Sequence, residues 1–128
     1  MATIGAIKVT TSLSVTNGAL AIDNVASRTQ SITQTTAKPS AVGGTQSIGN
    51  AAHEAIVITE LTTLGWCRFR NMDPTNYVEI GLDVAATFYP LVRIETGEEC
   101  IFRMAQGITP YAQANTAAVI LAKTMLDD

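Results

Sequence analysis

The sequence predicts an all-β fold: an antiparallel β-sandwich, jelly-roll-like, with an extended N-terminal arm or thin strands. Short runs alternate apolar and polar residues, turn residues recur roughly every 8–12 positions, and β-branched Thr, Val and Ile favour extended backbone. At 128 residues and 13.5 kDa the chain matches one ordinary domain, large enough to bury a core without disulfides or metal.

The first part, residues 1–53, is polar without being charged. Its charged side chains are Lys8, Asp23, Arg28 and Lys38, and it has no aromatic residue. Disordered tails are usually charged or Pro-rich, so this composition points to strands or to an arm that orders on assembly. Extended segments are expected at 4–9, 12–16 and 25–36, with Asn17-Gly18 as a positive-φ turn and Pro39 and Gly43-Gly44 as breaks.

Every aromatic residue (Trp66, Phe69, Tyr77, Phe88, Tyr89, Phe102, Tyr111) and both cysteines lie in residues 54–128. Aromatic rings give the largest burial per side chain, so this part is expected to organise the compact sandwich core, the two parts together making one domain. Strands are expected at 45–48, 54–61, 65–70, 77–82, 87–94, 100–104, 108–113 and 118–125. The last is ambiguous, because Ala, Leu, Lys and Met are good helix formers. The compact apolar group Val119, Ile120 and Leu121 in a β context favours a strand.

Two hairpins are expected. In GWCRFRNMDPTNYVEIGLD a polar break with Pro74 separates two alternating runs, so Arg70 would face Tyr77, Arg68 would face Glu79 and Trp66 would face Gly81. That register puts Cys67, Phe69, Val78, Ile80 and Leu82 in the core. It gathers Trp66, Arg68, Arg70, Tyr77 and Glu79 on the other face, which suits either a contact surface or a solvated sheet face. In LVRIETGEECIFRM, a tip at Thr96-Gly97-Glu98 would pair Ile94 with Cys100, Val92 with Phe102 and Pro90 with Met104, with Pro90 at an edge or bulge.

Catalytic chemistry finds little support. His53 is the only histidine and reads as a turn residue before the next strand. The sequence lacks a nucleophile elbow, a phosphate loop and a dinucleotide fingerprint, and residues 43–49 lack the Lys of a phosphate cradle. Glu98 and Glu99 sit at a hairpin tip, and Asp73 is a lone loop carboxylate. No enzyme activity, metal or cofactor is expected. Cys67 and Cys100 read as buried free thiols.

The formal charge of −3 and pI near 5.0 give no cationic footprint for nucleic acid or an anionic membrane. No apolar run approaches a membrane span, and no leader pattern opens the chain, so a soluble protein made in the cytoplasm is expected.

Several segments resemble small structural proteins of tailed bacteriophages: Gly43-Gly44-Thr45-Gln46, NMDPTNYVEIG over 71–81, the Gly97-Glu98 turn followed by Phe102-Arg103, and Tyr111-Ala112 with residues 114–117. The resemblance covers most of the chain, chiefly 43–128, and its motifs are turns and strand patterns. It implies a capsid decoration or cement protein on the virion surface that binds the major capsid protein as a homo-oligomer, a trimer being favoured. A tail or head-to-tail component is also compatible. A glycan-binding sandwich is a separate reading, motivated by Trp66 and Tyr77 on one face.

Overall fold

The computed structural model describes residues 6–17, 20–22, 28–33, 41–59 and 61–127. The chain forms two compact units, Met1–Pro39 and Ser40–Asp128. In the first, β1 (Ala6–Thr11) pairs antiparallel with β4 (Arg28–Thr33), and β2 (Val15–Asn17) pairs with β3 (Leu20–Ile22). The pairing is nested, with β2 and β3 between the outer strands in sequence. Buried Ile7 and Val9 alternate with exposed Lys8 and Thr10 along β1, the period of two that a strand imposes. The Gly18 part of the expected turn and Pro39 lie outside the described residues.

The second unit contains β5 (Ala41–Val42), β6 (Thr45–Ile48), β7 (Glu54–Ala55), β8 (Leu64–Asn71), β9 (Val78–Val84), β10 (Thr87–Ile94), β11 (Glu99–Arg103), β12 (Tyr111–Ala114) and β13 (Val119–Asp127). One sheet runs β11-β8-β13, with β5 and β6 both on the far side of β13. The other runs β10-β9-β12-β7. All pairings are antiparallel.

Counted from β6 to β13, the first sheet holds the first, eighth, third and sixth strands, and the second holds the second, seventh, fourth and fifth. This is the strand order of a double Greek-key jelly roll. The segment at 116–126, where helix formers competed, holds the long strand β13 from Val119 onward, which lies inside its sheet between β8 and the β5/β6 edge. Gly43 and Gly44 interrupt the edge between β5 and β6. Gly44 has φ +100°, and its carbonyl accepts from the Lys123 amide at 2.9 Å, which keeps the broken edge attached to β13.

One apolar cluster joins the sheets. Ile48, Cys67, Phe69, Val119, Leu121 and Met125 come from the first sheet and Val78, Ile80, Ile94, Ala112 and Ala114 from the second. The inward set expected from alternation is therefore buried, with Leu82 half-buried. Cys67 and Cys100 are free thiols on neighbouring strands. Burial pushes their pKa values to about 12 and about 11, and the nearby Cys100 adds to the effect on Cys67.

The strand partners differ from both expected hairpins. β8 pairs with β11 and β13, and β9 with β10 and β12, so β8 and β9 belong to different sheets. β10 and β11 are likewise in different sheets. Alternation fixes which side chains point inward, and it does so equally for strands that are neighbours in a sheet and strands that face each other across a core. In the second unit both turns expected to close hairpins, at 71–76 and at 96–98, carry the backbone from one sheet to the other.

In the second unit the hairpin that forms is β9–β10, which turns through Ala85 (φ 52°) and Ala86 (φ 66°) between the paired Val84 and Thr87. Two successive positive φ values match the twist of a two-residue hairpin, although Asn and Gly normally supply them. Asp83 Oδ1 accepts from the Ala86 amide at 3.2 Å and supports the turn. Farther along, a bulge between Pro90 and Val92 brings Tyr89 carbonyl against Gly81, where a Cβ would lie 2.0 Å from that oxygen. Only glycine fits there.

Buried polar groups stitch the crossings. Asn71 is fully buried. Its Nδ2 donates to Asn76 carbonyl (2.8 Å) and Ile94 carbonyl (3.0 Å), and its Oδ1 accepts from Asp73 amide (2.8 Å). Asp127 Oδ1 accepts from the amides of Thr62 and Thr63 at 3.1 and 2.8 Å, tying the segment before β8 to the end of β13.

Candidate interaction surfaces

The expected site set is divided between two outer faces. Trp66, Arg68 and Arg70 alternate outward along β8, whose inward positions are Cys67, Phe69 and Asn71. Tyr77 and Glu79 sit before and on β9, in the other sheet. The single five-residue face is therefore corrected: it joined strands that share a core and not an edge.

The pair partners change accordingly. Arg68 forms its ion pair with Glu99 on β11, not with Glu79. Tyr77 lies under Arg93, whose guanidinium carbon is 3.6 Å from the ring centroid, and Arg93 is cross-strand from Glu79 and ion-paired with Glu95 at 2.7 Å. Gly81 faces Pro90 and Tyr111, not Trp66. Trp66 is cross-strand from Arg103, and its Nε1 is buried without a hydrogen-bond partner among the described residues.

On the outer face of the β10-β9-β12-β7 sheet, sequence reasoning missed one cluster. His53 Nε2 lies 2.5 Å from Asp83 Oδ2, its ring stacks on Phe88 (centroids 5.3 Å, planes 20° apart), and Tyr111 tilts against it at 5.6 Å. The hydrogen bond from His53, more than that from the Ala86 amide, holds the Asp83 carboxyl below its ordinary range. His53 does precede β7 as expected. Its partner stands thirty positions later, and only the pairing of β12 with both β7 and β9 brings the two together. No short-range spacing signals such a contact.

The outer face of the β11-β8-β13 sheet is more cationic. Arg68 is cross-strand from Thr124 and Ile101, and Arg70 from Ala122 and Glu99. A groove of about 270 Å³ runs past Arg68, Arg70, Met72, Ala122, Thr124 and Gly44. The Lys123 ammonium is turned away from it, toward the core side, where Nζ donates to Val57 carbonyl (3.0 Å) and Gln46 Oε1 (3.2 Å). Desolvation lowers the Lys123 pKa. The Gln46 carboxamide itself spans both sheets, with Nε2 donating to Ala55 carbonyl and Oε1 accepting from Val57 amide, each at 3.0 Å.

The third surface lies where both sheets end. β10 and β11 are terminal strands of their sheets, and an apolar cleft of about 220 Å³ opens between them, lined by Leu82, Leu91, Val92, Phe102, Arg103 and Met104. Leu91, the residue at the bulge, is 70% exposed, Tyr89 52% and Ile101 39%. Exposed apolar side chains on the terminal strands of a sheet are typical of surfaces that another chain covers.

Among the described residues no group of three or more His, Cys, Asp or Glu side chains could hold a metal ion, and no helix is long and apolar enough to cross a membrane. No family model, curated protein or solved structure matches the chain.

Proposed function

We propose that this chain is a structural virion protein: a capsid decoration or cement protein that binds the major capsid protein on the particle surface and associates with copies of itself, most economically as a trimer. Made in the host cytoplasm, it acts by contact and performs no bond chemistry. The observation that carries the reading is the apolar cleft between the terminal strands β10 and β11, with Leu91 exposed at its wall. Burying such a cleft contributes on the order of 25 cal/mol per Å² of apolar surface, and a shell lattice multiplies weak contacts into avidity.

The jelly-roll order supports the same reading at the level of fold, since virus shells and lectins both use it, and fold alone does not choose between them. The glycan reading loses its motivation, because Trp66 and Tyr77 lie on different sheets. Light scattering after size exclusion, with co-sedimentation on purified shells and on purified tails, tests the proposal. A trimer that pellets with shells is expected. A monomer at high micromolar concentration that pellets with neither overturns the proposal, and pelleting with tails alone moves the site to the tail.

A further inference from the structure

We propose that the groove on the outer face of the β11-β8-β13 sheet is a carboxylate-binding site that docks an acidic segment of a partner protein, with Arg70 as its principal anchor. The inference does not depend on the particle assignment, because it stands on the charge and shape of this one face.

The ion pairs among the described residues are His53–Asp83, Arg68–Glu99 and Arg93–Glu95, and none includes Arg70. Arg70 is exposed and stands at the groove wall. Its planar fork is thus available for the bidentate pairing that guanidinium makes with carboxylate. Glu99 holds Arg68 beside it, so the second guanidinium is oriented but its charge is already paired, which leaves Arg70 as the anchor. Thr124, exposed and opposite Arg68, adds a hydroxyl donor at the other side. Ala122 and Met72 give the apolar floor that the methylenes of an Asp or Glu side chain require.

Charge decides the class of ligand. A nucleic-acid backbone needs many cations along its track, and here Glu99 lies cross-strand from Arg70 and Glu98 precedes it in a chain of net charge −3. One protein carboxylate needs a single free fork, which Arg70 supplies, and a neighbouring side chain of the partner meets the Thr124 hydroxyl. The groove floor is made of β-strands, so an extended segment running along β8 suits it best.

The test uses the full chain and a fluorescent octaglutamate peptide, read by anisotropy, with a single-stranded oligonucleotide of equal charge as the competing probe. Saturable peptide binding is expected, weakened at least fivefold by Arg70→Gln and by Thr124→Glu, and unchanged by Arg93→Gln on the opposite sheet. Arg70→Lys, which keeps the charge and loses the fork, falls between. Circular dichroism melts show that each variant is folded. Absence of saturable peptide binding, equal loss in Arg70→Gln and Arg93→Gln, or preference for the oligonucleotide would overturn the proposal.

Discussion

The connection from β8 to β9 and the connection from β9 to β10 look inverted when sequence is set beside structure. Residues 71–77, with Asn, Asp, Pro and Thr, have the stronger turn chemistry, yet they carry the chain across the sandwich. Ala85 and Ala86 have no turn chemistry, yet they close a tight hairpin with ladder pairing on either side. The crossing is held by a buried side chain, Asn71, and the hairpin by its ladder together with Asp83. Turn residues tell where the chain bends. What lies on either side of the bend depends on which edges are free.

Removing the stitch has the largest expected effect. Asn71→Ala leaves two carbonyls and one amide unpartnered in or near the core, a loss of about 3 kcal/mol or more in a denaturant titration. If the crossing depended on its loop residues alone, the loss would stay below about 1 kcal/mol.

Next comes the ladder side of the comparison. Gly81→Ala forces a methyl into Tyr89 carbonyl and displaces the bulge, at a cost of about 3 kcal/mol, with β9 and β10 amides losing protection from hydrogen exchange before those of β8 and β13. Uniform loss across both sheets would contradict the local account.

The thiols report strand adjacency directly. Both keep their protons to higher pH in the folded chain than their ordinary 9.0, so the stability they contribute is complete below about pH 9 and is lost as pH rises toward 11 and 12. Melts between pH 7 and 11 should show this fall. Cys100→Ala should lower the Cys67 pKa, because the two thiols lie on the neighbouring strands β8 and β11 and Cys100 adds to the rise. An unchanged Cys67 titration would contradict that proximity.

How much was legible follows from the same contrast. The inward positions Cys67, Phe69, Val78 and Ile80 and the strand expected at 118–125, observed at Val119–Asp127, were readable, because a period of two and β-branched runs are local properties. Pairing was not, since Phe69 satisfies alternation equally well beside Val78 or across from it. The candidate face failed for that reason: Arg68 finds Glu99 and Tyr77 finds Arg93 only after strand order is known. The His53–Asp83 contact was invisible because it spans two other strand pairings.

The smallest effect concerns the tight hairpin. Replacing Ala85-Ala86 by Asn-Gly supplies residues suited to positive φ and should stabilise the chain by about 1 kcal/mol, seen as a raised melting temperature. A destabilised double variant would mean that the turn has some other geometry.

The proposed role of this jelly roll is covering and contact, with the β10–β11 side joining copies. An electron-microscopy map of purified particles carrying the protein tests it most directly. Sandwich density on the shell surface is expected, with Leu91 and the β10–β11 cleft buried between neighbouring copies. Particles without such density, or isolated copies whose β10–β11 side faces open solvent, would contradict it.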